Sequence, residues 1–326
     1  MEAETLVDYG FEQGCSDVHL APGEAVVFRK NGSLCRSRQS FSVAEMNLFF
    51  EKLTGTSLER RAFNLDCSGE TPRGVRYRAH FYSAGGAPAA AVRIFFKEIP
   101  SMETLGIPEI LKKQIWADRG LVLVCGATGS GKSTTLAAMV DAINREQDRH
   151  IITIEDPVEY RHGHRRSLVH QRQLGRDVVS FSEGLKAALR EDPDVILVGE
   201  MRDRETMLAA MTAAETGHLV LTTLHTDGAA RAIDRILDSF SGEHRGWVQS
   251  QLAAVFSVAA AQWLIPDRNG KRMAVFEVLA ATEGVKILIR GGKTHLLTAQ
   301  MQTGGQVGMF TLAQALERLT AQGKSL

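Results

Sequence analysis

GLVLVCGATGSGKSTTLAAMVDAI, residues 120–143, is the stretch that decides the fold. An apolar run at 120–125 leads into GATGSGKS at 126–133, and a helical pattern follows. The eight residues match G-x-x-x-x-G-K-[ST], the P-loop motif, in the strand-to-helix context that the motif requires. The stretch therefore predicts an α/β domain that holds phosphate groups at the carboxyl edge of a parallel sheet.

Each position of this loop has a physical reason. Its glycines allow a tight turn that aims backbone N–H groups at phosphate oxygens, and the next helix adds positive partial charge. Lys132 is placed to reach the β- and γ-phosphates, and the Ser133 hydroxyl to ligate Mg²⁺. The alternative is a glycine-rich turn beside a surface lysine. The candidate nucleotide-binding residues are Gly126, Ala127, Thr128, Gly129, Ser130, Gly131, Lys132, Ser133 and Thr134.

Downstream of the loop the chain has a βαβα rhythm. A helical pattern begins at Ser180 with capping-box spacing, and another runs over 203–216. The strands are nearly continuous apolar runs, as expected for a parallel sheet covered on both faces. We predict a doubly wound α/β fold, a RecA-like P-loop core over 113–326 with a C-terminal helical region. The predicted strands are 120–125, 150–155, 194–199 and 218–224.

Another apolar stretch, Leu252 to Ile265, is too short to span a bilayer and is interpreted as a buried helix.

Upstream of the loop the pattern is that of a small α+β domain, residues 1–98. Asn31-Gly32 lies between two β-prone runs at 25–35, a strong hairpin signal. Further strands are predicted at 75–82 and 89–96, and the first alternates apolar with basic side chains. Residues 99–112 contain Pro100 and Pro108 and are predicted to be a linker.

Composition limits the possible partners and the compartment. Among 326 residues, 38 basic and 38 acidic side chains cancel, so no global field attracts nucleic acid or anionic lipid. The 4 cysteines form no C-x-x-C pair, which disfavours a structural zinc site and favours a reducing compartment. The N-terminal residues show neither a basic nor an apolar signal region. We therefore expect a cytoplasmic protein.

Carboxylates follow two of the predicted strands at the edge where ligands bind. The strand at 150–155 runs into Glu155, Asp156 and, after Pro157-Val158, Glu159. Any of the three is suited to orient or deprotonate an attacking water, although Glu155 or Asp156 could instead cap a turn. The strand at 194–199 leads to Glu200, which suits an Mg²⁺ shell, through water, or alternatively a solvated turn.

Two histidines, His218 and His225, bracket the run HLVLTTLH. His225 is at the end expected to face nucleotide, where a contact with the γ-phosphate and a purely structural role are equally open. A structural role is favoured for His218.

Four sequence blocks follow one another along the chain: GATGSGKS (126–133), ITIEDPVEY (152–160), DPDVILVGEMRD (192–203) and TAAETGHLVLTTLHT (212–226). In this order they resemble the Walker A, Asp box, Walker B and His box of the secretion ATPase superfamily of type II secretion and type IV pilus systems. SDVHL at 16–20 is similar to the N-terminal S-D-x-H signature of that family.

Within the superfamily the chain is most similar to the pilus retraction type, through ILIRGGKTH at 287–295 and MQTGGQVGMFTLAQAL at 301–316. Extension and type II secretion ATPases usually carry a four-cysteine metal motif and an extra N-terminal domain. Neither is recognised in this sequence, so the retraction type is expected. The resemblance implies a PAS-like N-terminal domain and a hexameric, ATP-hydrolysing motor that uses Mg²⁺ and powers pilus retraction and twitching motility. It also implies an inner-membrane pilus platform protein as partner, through which the ring is held at the inner face of the cytoplasmic membrane.

The resemblance also implies roles for single residues. Glu159 is similar to the catalytic glutamate and Glu200 to the Walker B acid. Arg78 and Arg93 match basic positions that reach nucleotide, partly from a neighbouring subunit, and Arg76 is a weaker candidate. Solvated charges on a strand face are the alternative for all three arginines.

One segment departs from the family pattern. Residues 284–290, GVKILIR, replace a segment that the family ties to retraction rather than to hydrolysis. ATP hydrolysis is therefore expected to persist, while a divergent paralogue without retraction activity is the alternative.

Two other classes of protein compete with this interpretation. The basic run RHGHRRSLVHQR at 161–172 would suit a nucleic-acid-dependent motor, but basic runs are usually solvated faces and no nucleic acid is expected. A non-catalytic nucleotide-binding ring subunit would have lost a catalytic residue, whereas Lys132, Ser133, Glu159 and Glu200 are all present.

Overall fold

The protein divides into two compact units, Met1–Glu98 and Ile99–Leu326, in a computed structural model that describes residues 3–55, 64–95, 98–267 and 272–322. Each unit buries apolar side chains of its own.

The first unit is a six-stranded antiparallel sheet with two helices. Its strand order is β3-β2-β1-β6-β5-β4. The elements are α1 (Ala3–Glu12), β1 (Asp17–Leu20), β2 (Ala25–Lys30), β3 (Ser33–Ser40), α2 (Val43–Thr54), β4 (Asn64–Glu70), β5 (Arg76–Ala84) and β6 (Ala87–Ile94).

Local sequence explains this sheet. Asn31 and Gly32 both have positive φ, 50° and 87°, and close the β2–β3 hairpin at the predicted place. Alternate residues of β5 are buried, and Phe81 is packed against Phe49 and Phe50 of α2 with ring centroids 5.7 and 5.0 Å away. The predicted α+β character of the N-terminal region is confirmed.

The second unit contains a seven-stranded sheet between two layers of helices. Its strand order is β13-β12-β7-β11-β10-β8-β9, parallel except for the edge strand β13. The elements are α3 (Glu109–Gln114), β7 (Gly120–Cys125), α4 (Lys132–Glu146), β8 (His150–Glu155), β9 (Leu168–Gln173), α5 (Phe181–Ala188), β10 (Val195–Val198), α6 (Arg204–Glu215), β11 (Leu219–Leu224), α7 (Ala229–Asp238), α8 (His244–Val255), β12 (Phe256–Pro266), β13 (Arg272–Ala280), α9 (Glu283–Arg290), α10 (Leu297–Thr303) and α11 (Leu312–Ala321).

Two hydrophobic clusters account for the continuous apolar strands. Leu121 and Leu123 of β7 belong to the cluster that includes α5 to α8, while Val122 and Val124 belong to the cluster that includes α3 and α4. Because alternate side chains face opposite layers, every residue of β7 is buried. The predicted α/β class with a mainly parallel sheet is confirmed.

The segment 99–112, predicted to be a linker, packs within the second unit. Met102, Ile107 and Leu111 are buried in the cluster that α3 and α4 share, and α3 begins at Glu109. The division between the two units falls at residues 98 and 99.

The prediction of a buried helix from Leu252 to Ile265 is wrong. Helix α8 ends at Val255, and Phe256–Pro266 forms β12, between β7 and β13. Phe256 and Ala259 face one hydrophobic cluster while Val258 faces the other. A strand that is apolar on both faces has no period by which to distinguish it from a buried helix.

Within the described ranges, no helix has both the length and the apolar character that crossing a bilayer requires.

Candidate nucleotide-binding site

The loop between β7 and α4 has backbone that only glycine adopts without strain. Gly126, Gly129 and Gly131 have φ of 144°, 79° and 89°. A Cβ on Gly126 would lie 2.5 Å from the carbonyl oxygen of Gln262, so a side chain there has no room. The loop is fixed in shape, and Ala127, Thr128 and Gly129 are exposed at its outer side.

Lys132 lies buried at the start of α4. Its Nζ donates hydrogen bonds to the carbonyl oxygens of Gly126 at 2.8 Å and Ala127 at 2.9 Å. Burial lowers the pKa of Lys132, and nearby acidic groups, including Glu200 and Glu159, act in the opposite direction. A buried ammonium among carbonyl oxygens and backbone amides is suited to a polyanion.

The hydroxyl groups of the loop have different surroundings. The Oγ of Ser130 is buried with no hydrogen-bond partner among the described residues, whereas Ser133 is exposed. The Thr134 Oγ1 lies 2.9 Å from the hydroxyl of Tyr160. An unsatisfied buried hydroxyl, an exposed Ser133 and a buried Lys132 together fit a phosphate chain, and the Ser133 hydroxyl is of the oxygen type that Mg²⁺ prefers.

Strand β12 supports the loop from behind through one polar side chain. The Thr135 Oγ1 donates to Gln262 Oε1 at 2.7 Å, and both side chains are buried. A Cβ on Gly131 would lie 2.9 Å from Gln262 Nε2, so this carboxamide also contacts the loop. Sequence reasoning missed Gln262; the available signal was a polar residue inside an otherwise apolar stretch.

The three carboxylates that follow β8 differ in their environments. Glu155 Oε1 accepts from Thr153 Oγ1 at 2.6 Å and from Gln171 Nε2 at 3.1 Å, so it is held by β8 and β9. Asp156 lies 3.9 Å from the Arg202 guanidinium. Glu159 is half-buried and raises the pKa of Lys132 through its charge. Of the three, Glu155 is bound within the sheet and Glu159 acts on the loop lysine.

A second polar cluster forms where β10 and β11 end. Glu200 Oε1 lies 2.5 Å from Arg202 Nη2, and Glu200 Oε2 lies 3.5 Å from His225 Nε2. Burial lowers the pKa of His225, and the positive charges of Lys132 and Arg202 lower it further. The negative charge of Glu200 acts in the opposite direction. Lys132, Glu159, Glu200 and His225 are therefore electrostatic neighbours at one sheet edge. Arg202, which the sequence reasoning did not single out, belongs to the same group.

His218 lies at the opposite end of β11. Its Nδ1 is 2.9 Å from the carbonyl oxygen of Ala213 at the end of α6, which is a structural contact.

The candidate arginines lie in the first unit, on neighbouring strands. Arg78 of β5 is directly opposite Arg93 of β6. Arg78 Nε lies 3.3 Å from Asp66 Oδ1, and Arg93 Nε lies 3.0 Å from Asp17 Oδ1. Both side chains are more than one-third exposed, at 38% and 56%. They form a cationic pair on an accessible part of the strand surface.

Comparison with known proteins identifies the family. Residues 85–286, well over half of the chain, match the family described as type II/IV secretion system protein. The chain belongs to this family. The match includes all four sequence blocks and confirms the resemblance drawn from them.

Individual relatives are similar to this chain over almost their whole length. The type IV pilus retraction ATPase PilT of Pseudomonas aeruginosa is 41% identical over 99% of this chain and 95% of its own. YggR of Escherichia coli, an uncharacterized protein, is also 41% identical, over 99% of this chain and 100% of its own. The crystal structure of the pilus retraction motor PilT with bound ADP is 37% identical, with a TM-score of 0.88, and covers 100% of this chain and 95% of that one.

Replacing Gln262 with Leu should destabilise the protein by about 1–3 kcal/mol, because the buried Thr135 hydroxyl loses its acceptor. The double variant Gln262→Leu/Thr135→Val removes both polar partners and should recover part of the loss. Urea denaturation of the wild type, both single variants and the double variant measures these differences. Additive losses in the double variant would contradict the predicted coupling.

The loop that follows Glu159 should make stability depend on pH through His162. Burial lowers the pKa of His162 from 6.5 to about 4, against an opposing effect of Asp141. The neutral ring therefore stabilises the fold fully above pH 6.5, and this contribution is lost as the pH falls toward 4. The resulting decrease in the free energy of unfolding between pH 7.5 and pH 5 is at most roughly 2 kcal/mol.

The variant His162→Asn cannot gain this proton, so it should lose less stability than the wild type over that interval. Urea denaturation of both proteins at pH 7.5 and pH 5 provides the comparison. An equal change in the two proteins would mean that His162 does not set this pH dependence.

Proposed function

We propose that this protein is the ATP-hydrolysing motor subunit of a ring that powers type IV pilus retraction and twitching motility. The observation that carries the proposal is the buried Lys132 of the P-loop, with Glu159 and Glu200 acting on its charge from the ends of two other strands. The similarity to PilT over nearly the whole chain supports the same conclusion.

The proposed reaction converts ATP and water to ADP and phosphate. Backbone amides of 126–133 and the Lys132 ammonium bind the phosphates, and Glu159 orients the attacking water and accepts its proton. When bound, Mg²⁺ would neutralise phosphate charge, with Ser133 as a ligand and Glu200 acting through water. His225, whose pKa is lowered by burial and by the charges of Lys132 and Arg202, would contact the γ-phosphate end of the site.

We further propose that Arg78 and Arg93 reach nucleotide bound by a neighbouring subunit of a hexamer. Like charges directly opposite each other across a strand pair destabilise a sheet. Asp66 and Asp17 offset this by pairing with the two guanidinium groups, so nucleotide bound by a neighbouring subunit would have to replace these carboxylates as their partner. Hydrolysis would then move the two units as rigid bodies about the chain near residue 98. The hexamer is inferred from the family resemblance.

The ring would act on the cytoplasmic face of the inner membrane, through a pilus platform protein rather than through a membrane segment of its own. This part of the proposal rests on the resemblance to the retraction type.

Two observations favour a second candidate, a divergent paralogue without retraction activity. The altered segment 284–290 falls in α9, where Ile287 is 60% exposed, so the changed residues lie partly on an accessible surface. Identity to the uncharacterized YggR equals that to PilT.

The basic run at 161–172 favours a solvated face rather than a nucleic-acid surface. Arg166 forms two 2.9 Å hydrogen bonds with Asp148, and Arg172 Nη1 lies 2.6 Å from Glu191. These guanidinium groups are already paired with carboxylates, which reduces the positive charge available to phosphates.

Replacing Glu159 with Gln should lower the rate of ATP hydrolysis by about 10²–10⁴-fold and leave nucleotide binding intact, because only the base is removed. Lys132→Ala should reduce nucleotide binding, hydrolysis or both. Phosphate release and binding of a fluorescent ATP analogue report these effects. Glu317→Gln, on the exposed side of α11, is the matched control and should behave as the wild type.

The same variants test retraction in cells. A strain that lacks this chain should assemble pili but lose twitching, and wild type but not Glu159→Gln should restore it. Normal twitching without the chain, combined with ATP hydrolysis in the purified protein, would favour the divergent paralogue. Unchanged hydrolysis in Lys132→Ala would remove the ATPase proposal altogether.

Mixed rings test whether an arginine acts on a neighbouring subunit. Arg93→Ala should lower the rate of ATP hydrolysis, because an arginine supplied by a neighbouring subunit typically contributes on the order of 10³–10⁵-fold to kcat. Mixing Arg93→Ala with Lys132→Ala subunits pairs an intact arginine with an intact P-loop at roughly a quarter of the interfaces. Phosphate release by the mixture should therefore exceed that of either protein alone, and Arg78→Ala is tested in the same way. If the mixture is no more active than either variant alone, the arginine acts on the P-loop of its own subunit or takes no part in the reaction.

A further inference from the structure

Tyr160 connects the segment of Glu159 to the helix that carries Lys132. Its hydroxyl lies 2.9 Å from the Thr134 Oγ1 in the first turn of α4. Burial raises the pKa of Tyr160, and the charge of Glu159 raises it too, while the hydrogen bond to Thr134 acts in the opposite direction. The phenol is therefore neutral at neutral pH and able to donate or accept this hydrogen bond.

The backbone beside Tyr160 is held by two further side chains. Gln171 of β9 donates to the Tyr160 carbonyl at 2.8 Å and accepts from the His162 amide at 2.9 Å. Asn144, buried near the end of α4, donates to the Gly163 carbonyl at 2.8 Å. The chain that follows Glu159 is thus fixed to α4 at the first turn and again near the last.

Glu159 itself lies between two anchored neighbours. The residue before it, Val158, is buried at 7% exposure, and the residue after it makes the hydrogen bond to Thr134. With its neighbours held on both sides, the backbone of Glu159 is set in position relative to the start of α4, where Lys132 lies.

We propose that Tyr160 is a positioning residue whose hydrogen bond to Thr134 holds the Glu159 carboxylate in register with the P-loop. The inference rests on the proposed function, because it takes Glu159 as the group that orients the attacking water. A displacement of about 1 Å in a catalytic group can cost on the order of 10²-fold in rate. Glu159 acts on the water rather than on bound nucleotide, so its displacement affects the transition state and not the ground state.

The variant Tyr160→Phe removes only the hydroxyl. It should lower kcat by roughly 10-fold while the KM for ATP and the affinity for ADP change by less than about 2-fold. A hydroxyl that merely stabilised the nucleotide loop would instead weaken nucleotide binding. Tyr9→Phe, in α1 of the first unit, is the control for the same chemical change and should retain wild-type kcat.

Variants of the partner residue complete the experiment. Thr134→Val should reproduce the loss in kcat, and Thr134→Ser, which keeps a hydroxyl, should restore most of it. The double variant Tyr160→Phe/Thr134→Val should be no slower than the slower single variant, since both remove one hydrogen bond. Thermal melting of each protein establishes that it is folded at the assay temperature.

The results separate this inference from the function on which it rests. Wild-type kcat in Tyr160→Phe, with hydrolysis lost in Glu159→Gln, would overturn the role of Tyr160 and leave the ATPase proposal standing. Active Glu159→Gln would overturn the assumed role of Glu159 and the inference with it. A raised KM with unchanged kcat, or losses that multiply in the double variant, would also overturn the inference.

Discussion

The buried charge of Lys132 is the constraint on which the arrangement of the second unit depends. An ammonium removed from water is costly unless polar groups or opposite charges surround it. The carbonyls of Gly126 and Ala127 meet part of this requirement, and the carboxylates of Glu159 and Glu200 act on the charge from farther away. Those carboxylates follow β8 and β10, so they act on the lysine because these parallel strands end at the same sheet edge. A bound phosphate chain would supply further negative charge, which agrees with the nucleotide proposed for this site.

Much of this fold can be predicted from the sequence, and the reason is burial on both faces. Strands β7 and β8 have the bounds that their apolar runs predict, β10 is one residue shorter than predicted at each end, and β11 begins one residue later than predicted. The same property makes β12 unpredictable, since a run that is apolar on both faces has no period. Strand β9 was not predicted because Leu168–Gln173 is mainly polar and lies at the sheet edge, where water faces one side.

The candidate site also has residues that the sequence predicts and residues that it does not. Loop residues 126–133 follow from the motif, because their chemistry depends on near neighbours in sequence. Contacts between distant segments do not, and Gln262, Gln171 and Arg202 enter the site only when strands β12, β9 and β10 are assembled. Each is a polar side chain with long reach, and no local pattern specifies which carboxylate or hydroxyl it meets.

The first turn of α4 follows directly from the P-loop motif and also contacts segments that are distant in sequence. Thr134 and Thr135 are consecutive, so they point about 100° apart around the helix, and they bond to different parts of the unit. Thr134 meets Tyr160 beside Glu159, while Thr135 meets Gln262 on β12. Packed interiors transmit small displacements rather than absorb them. A shift at the start of α4 would therefore be transmitted both to Tyr160, the residue after Glu159, and to β12, through adjacent residues of one helical turn.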